Sequence, residues 1–229
     1  MQENRIRPRL KWFADRVRQD VLFADIGTDH AKLPVALVQS GKIRHAIAAD
    51  IGAGPICRAR AYINACGLSG KIDTYICDGV AELPIKFPAD IAICGMGGET
   101  IRGIIQAAPL LKNKNIRLML QPMTDFALLR QYLAENGFTA MEEDIVPSDG
   151  RMYQCMIVCY SGEPYTLSAV EAELGRQSIQ KRSDTFLRYV KRRMSIVQKC
   201  LDGKRVSGAD TAEEETLLAA YQKILEERT

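Results

Sequence analysis

The chain has 229 residues, 47% of them hydrophobic and 26% charged, and a formal net charge of +3. That length supports one full α/β core with a small appendage and leaves no need for disorder. No run of eighteen apolar residues and no charged leader before an apolar stretch occurs, so the expectation is a cytoplasmic protein without a helical membrane span or a secretory signal.

In chain order, residues 8 to 18 set Leu10, Phe13, Ala14 and Val17 at helical spacing among bases, which predicts a leading helix. Strand and helix then alternate: strand 21–26, helix 31–40, strand 45–50, helix 54–66 and strand 72–77. After a loop punctuated by Pro84 and Pro88 come strand 89–94, helix 98–107, strand 115–120 and helix 124–136. Such alternation implies right-handed crossovers and a parallel sheet. Beyond Gly137, the strand-like runs Phe138 to Val146 and Met152 to Tyr160 are joined by Pro147-Ser148-Asp149-Gly150-Arg151, a hairpin that makes the last strand antiparallel.

Glu163-Pro164 marks a boundary, dividing the chain into domains 1–163 and 164–229. Past it the strand signal vanishes. Leu167, Val170, Leu174, Phe186, Val190, Met194, Val197 and Leu201 fit one long helix with a narrow apolar seam. Gly203 and Gly208 bracket a break, and Leu217, Leu218, Tyr221, Ile224 and Leu225 continue the pattern in a second helix. The expected tail is an antiparallel two-helix coiled coil, with Glu213, Glu214 and Glu215 at the amino end of its second helix, where the helix dipole favours negative charge.

Charge is segregated. Residues 176 to 205 carry ten bases against Asp184 and Asp202, a net +8, and the amino terminus adds Arg5, Arg7, Arg9, Lys11, Arg16 and Arg18. Two basic segments flanking a mildly acidic core fit a polyanion footprint, although a solvated helix face can be equally basic. The seven cysteines, an odd count set mostly in apolar segments, are expected as buried free thiols. Neither they nor the two histidines cluster into a zinc set, so no metal is expected.

The chemistry concentrates at four strand ends: Asp25-Ile26-Gly27-Thr28-Asp29-His30, Asp50-Ile51-Gly52, Asp78-Gly79 and Gly95-Met96-Gly97-Gly98. In open α/β sheets ligands bind at the carboxyl ends of strands. The glycine-rich dinucleotide fingerprint is absent, which favours a ligand without a pyrophosphate. Asp50, 25 residues after Asp25, is placed to accept both hydroxyls of a ribose, and Asp78 to accept from an adenine amine. One aspartate alone reads as a cap or turn former; three at successive strand ends favour a ligand. Gly95 to Gly98 either admit a planar group against the backbone or simply make a tight turn into a helix. The spacing by itself stops at an adenosine-containing ligand.

The motifs Asp25-Ile26-Gly27-Thr28-Asp29-His30-Ala31-x-Leu33-Pro34, Asp50, Asp78-Gly79, Gly95-Met96-Gly97-Gly98, Gln121-Pro122 and Asp149-Gly150-x-x-Tyr153 resemble those of the bacterial tRNA (adenine-N1)-methyltransferases that modify adenine 22. The resemblance covers essentially the whole chain. It implies a Rossmann-like class I methyltransferase fold, with a seven-stranded, mostly parallel sheet and an antiparallel last strand, S-adenosylmethionine as donor and tRNA as substrate. The first motif departs from the glycine-rich form of most class I enzymes but matches this family.

The candidate donor-binding residues are Asp25, Gly27, Thr28, His30, Asp50, Ile51, Asp78, Gly79, Gly95 and Met96. The candidate substrate-binding residues are Arg7, Gly97, Gly98, Tyr153, Arg188, Lys191, Arg192 and Arg193. Adenine N1 has a lone pair, so attack on a sulfonium methyl needs mainly positioning, and the methylated ring becomes cationic unless its N6 amine loses a proton. Asp29 is the candidate catalytic residue, stabilising that charge or taking that proton; its bland alternative is a turn residue, and Thr28 already serves as the cap. Two other readings remain. One keeps the donor and changes the acceptor to another RNA adenine or a small molecule, against which the basic tail and the lack of an Asn/Asp-Pro-Pro-aromatic motif argue. The other is an RNA-binding module without turnover, against which the intact aspartates argue. Nothing in the sequence calls for an obligate protein partner.

Overall fold

The computed structural model describes residues 6–227, so Arg5 of the amino-terminal basic segment lies outside the described residues. The elements are α1 (Pro8–Arg16), β1 (Leu22–Ile26), α2 (Lys32–Gln39), β2 (Ala46–Asp50), α3 (Ala53–Ala65), β3 (Ile72–Ile76), β4 (Ala89–Met96), α4 (Gly98–Ala107), β5 (Ile116–Pro122), α5 (Phe126–Glu135), β6 (Phe138–Ser148) and β7 (Arg151–Tyr160). Four further helices follow: α6 (Ala169–Leu174), α7 (Arg176–Lys181), α8 (Asp184–Ser207) and α9 (Ala212–Glu226).

The sheet has the order β3-β2-β1-β4-β5-β7-β6, with β7 antiparallel to both neighbours and the first five strands parallel. Apolar residues alternate between two buried faces, as a doubly covered sheet requires. Phe23 and Ala92 join the layer under α1, α2 and α3, whereas Ala24, Ile91 and Ile93 join the layer under α4 and α5. The chain leaves β1 for β2 on one side and returns to β4 on the other, so the switch in strand order lies between β1 and β4.

The leading helix is held as part of the core. Trp12, Phe13 and Val17 are buried, and just past the helix the Arg18 Nε donates to Oδ1 of the fully buried Asp90 at 2.8 Å. Arg117 reaches the same carboxylate at 3.0 Å. Two guanidiniums on one buried carboxylate compensate its desolvation. They also fix where the amino-terminal arginines project.

The tail departs from the expected single long helix. Its first part is three helices, interrupted where Gly175 takes φ 87 and where Arg182 takes φ 47. A Cβ on Gly175 would sit 2.5 Å from the Glu143 carboxylate, so that crossing admits only glycine. The restarts carry ordinary cap chemistry: Ser168 and Glu171 form a capping box, and the Ser183 hydroxyl accepts from the Phe186 N–H. Gly203 makes no break, since α8 runs through it to a left-handed cap at Gly208. Helices α8 and α9 pair antiparallel, with Lys204 at 2.8 Å from Glu214 near the turn and Arg182 donating to the Ile224 carbonyl at the far end.

The tail packs on the sheet domain. Ile145 of β6 belongs to the cluster built on Phe186, Val190 and Tyr221. The buried Arg130–Glu143 pair, 2.7 Å apart, ties α5 and β6 to the carbonyls of Ala172 and Glu173. Burial of the thiols is less than expected: Cys155 is buried, while Cys57 and Cys200 are exposed, and all seven are free. No helix among the described residues is long and apolar enough to cross a membrane.

Candidate active site at the strand ends

The cleft of about 350 Å³ at the switch point is lined by Asp25, Gly27, Thr28, Asp29, His30 and Gly95, with Arg7, Arg9 and Leu10 closing it from the leading helix. The turn after β1 is fixed by backbone bonds from the Gly27 and Thr28 N–H groups to the Ala49 carbonyl, at 2.8 and 2.9 Å. Gly27 has φ 75, and a Cβ there would meet the Met96 methyl at 2.1 Å. Glycine is therefore required twice over, for the left-handed turn and for the approach of β4. The buried Thr28 hydroxyl donates to Asp25 Oδ2 at 2.7 Å and accepts from the Ala31 N–H at 3.1 Å, which braces the turn; it does not cap α2 as expected, since that helix starts from Ala31 in the left-handed region with no side-chain cap.

Asp25 lies largely out of water. Burial pushes its carboxyl up to about 6, opposed by the Thr28 hydrogen bond and Arg9 and reinforced by Asp50. Arg9, read from the sequence only as part of the basic amino terminus, was not among the expected site residues. It donates to Gln121 Oε1 at 2.6 Å, lies 5.3 Å over the Tyr153 ring, and reaches the cleft beside Gly95. Strand-end spacing cannot find a group delivered by a helix remote in sequence.

Asp50 ends β2 with Oδ1 accepting from the Gly52 N–H at 2.8 Å, which orients the carboxylate and leaves Oδ2 without a protein donor among the described residues. Next to it Ile51 is 70% exposed, an apolar side chain left in water. Asp78 stands exposed beyond β3, whose end is bonded to that of β2 through the Cys77 N–H and the Asp50 carbonyl. Gly79 beside it is buried against Ile104.

Asp50, Ile51, Asp78, Gly79 and Met96 lie outside the lining of this cleft, whereas Asp29 lines it, exposed and engaged. Arg58 of α3 reaches its Oδ1 at 2.6 Å, and His30 Nε2 lies 3.2 Å from its Oδ2. The Arg58 contact holds its carboxyl below the usual range. Arg7 lies 3.5 Å from Asp149 at the rim, and Tyr153 stands beneath Arg9.

Two of the expected substrate residues, Gly98 and Arg193, have protein partners of their own. Gly98 is buried, and a Cβ on it would fall 2.4 Å from the Asp125 carbonyl oxygen, so its lack of a side chain serves the packing of α4 on the β5–α5 turn. Gly97 precedes it at the cap of α4, close to the Thr124 hydroxyl. Arg193 turns inward, paired with Glu173 and lying 5.8 Å over Phe126. Arg188, Lys191 and Arg192 remain exposed on α8.

Known proteins share this arrangement. A methyltransferase-domain family model matches residues 6–156. The tRNA (adenine(22)-N(1))-methyltransferase of Bacillus subtilis (strain 168) is 34% identical over 158 residues, which is 69% of this chain and 66% of that protein. The match thus spans about two thirds of the relative's length. The Streptococcus pneumoniae protein Sp1610, solved in complex with S-adenosyl-L-methionine, superposes with a TM-score of 0.82 at 29% identity, covering 95% of this chain and 98% of that one. TrmK of M. capricolum, solved with the cofactor product S-adenosyl-homocysteine, gives 0.79 at 25% identity over 95% and 96% of the two chains. With its family model covering most of the chain and its strand-end cleft at the switch point, this chain belongs to the methyltransferase-domain family.

Proposed function

We propose that the protein transfers a methyl group from S-adenosylmethionine to N1 of adenine 22 in tRNA, acting in the cytoplasm, with residues 1–163 as the catalytic part and 164–229 helping to hold the tRNA. The carrying observation is the cleft at the β1–β4 switch point, together with its likeness to the B. subtilis enzyme. The residues fit the donor. Gly95 leaves the backbone open, Asp50 Oδ2 is free for a ribose hydroxyl, Ile51 offers an apolar face to adenine, and Asp25 offers a carboxylate to the cationic methionine end. Bound there, the donor supplies an electrophilic methyl on a sulfonium.

The acceptor needs no base before attack, because N1 already carries a lone pair; the protein's task is alignment. Asp29 lies where the acceptor ring would stand. Its carboxyl, held below the usual range by Arg58, supports a role as a fixed negative charge beside the ring that turns cationic, rather than as a proton acceptor. His30 braces that carboxylate. The exposed bases of α8 and Arg7 at the cleft rim supply phosphate contacts.

Incubation with bulk tRNA and S-adenosylmethionine, followed by nucleoside digestion and mass spectrometry, tests the reading. It expects 1-methyladenosine as the product. N6-methyladenosine, or methylation of a small molecule alone, would overturn it.

A further inference from the structure

A second cleft of about 240 Å³ lies between the β5–α5 turn, the start of β7 and the middle of α8, lined by Met123, Phe126, Arg151, Tyr153, Arg192 and Ile196 among others. It shares a wall with the donor cleft, because the Tyr153 ring that faces it lies under Arg9. Met123 and Ile196 are 38% and 47% exposed, so two large apolar side chains stand in water around one opening. Arg151 and Arg192 are exposed, and neither has an ion-pair partner among the described residues. No carboxylate lines the opening. At its floor Gln154 is 1% exposed; its Nε2 donates to the Glu173 carbonyl and the Tyr189 hydroxyl, while Oε1 has no partner.

Apolar walls, two uncompensated guanidiniums and an unmet amide acceptor describe a site for a ligand that is planar, anionic and able to donate a hydrogen bond. A nucleotide has all three properties. We propose that this cleft holds an unstacked RNA nucleotide next in the strand to the target adenine, with its base against Met123 and Ile196 and its phosphate on Arg151 and Arg192. The proposal rests on the RNA-methyltransferase reading above and adds to it. Holding a neighbour out of the stack removes the surface onto which the target adenine would fall back, so the cleft serves exposure of the target.

The test uses the full chain and tRNA transcripts carrying an abasic site immediately before or after the target adenine. One of the two is expected to be methylated with KM raised roughly tenfold, the scale of one lost base contact. Ile196→Asp, an exposed change on α8, is expected to raise KM for the intact transcript by a similar factor, to leave donor affinity unchanged, and to add nothing further on that abasic transcript. Unchanged KM for both abasic transcripts, or independent additive effects of the two perturbations, overturns the cleft assignment alone. Failure of the wild-type protein to methylate the intact transcript overturns the RNA reading, and this proposal with it.

Discussion

Replacing Asp25 with asparagine is expected to stabilise the unliganded protein while removing its grip on the methyl donor. Burial holds the Asp25 carboxyl near 6 against 3.8 for a free aspartate. The folded state therefore binds this proton more tightly than the unfolded state, so stability is greatest when the group is protonated and falls as pH rises from about 4 to about 6. Linkage puts the cost of ionisation at about 2 kcal/mol at pH 5 and about 3 kcal/mol at pH 7.5, where it levels off. Asparagine keeps an acceptor for the Thr28 hydroxyl and carries no charge, so denaturant unfolding should show Asp25→Asn more stable than wild type, with a margin widening from pH 5 to pH 7.5. Calorimetry should show donor affinity of the wild type weakening below pH 6 and that of the variant lost throughout. A variant less stable than wild type at pH 7.5, or a margin independent of pH, would refute the claim that the site stores the cost of a buried charge to meet a cationic ligand.

Asp50→Ala should weaken donor binding by about 2 kcal/mol or more, because ribose hydroxyls lose a charged acceptor; unchanged affinity in calorimetry would remove Asp50 from the site. Asp29→Ala should leave donor affinity nearly intact and slow single-turnover methyl transfer, and a wild-type rate would reduce it to a turn residue. Joint charge reversal of Arg188, Lys191 and Arg192 to Glu should weaken tRNA binding and flatten its salt dependence by roughly one unit of slope per lost phosphate contact, as read by filter binding at several salt concentrations. Arg193→Glu should instead cost about 3 kcal/mol of stability in denaturant unfolding, because it faces Glu173 with a second carboxylate.

The alternation of apolar runs made the sheet legible, because the central parallel strands β1, β2, β4 and β5 are short, largely buried on both faces and bounded by glycine, aspartate or proline, while the edge strand β3 is half exposed. The Asp149-Gly150 turn was legible for the same reason: both residues take positive φ, 52 and 73, which few others tolerate. Helix breaks in the tail were not, although Ser168, Glu171 and Ser183 carried cap signals, because a continuous apolar seam outweighs local punctuation until Gly175 meets Glu143 in space. Within the site, Asp25, Gly27, Thr28 and Asp50 stood at strand ends where the pattern points. Arg9 and Arg58 arrive from helices and are invisible to spacing. The Arg193–Glu173 pair was equally invisible, since charge count along α8 does not show which base turns toward a neighbouring carboxylate.

The central claim is most directly tested by site mapping on a single tRNA transcript with adenine at position 22, incubated with the protein and S-adenosylmethionine and read by reverse transcription, which a methyl group on N1 of adenine arrests because it blocks pairing. The account predicts one new stop, at adenine 22, absent when that base is changed to guanine or when Asp50 is changed to alanine. A stop at another adenine, or methylation that survives the loss of adenine 22, would contradict it.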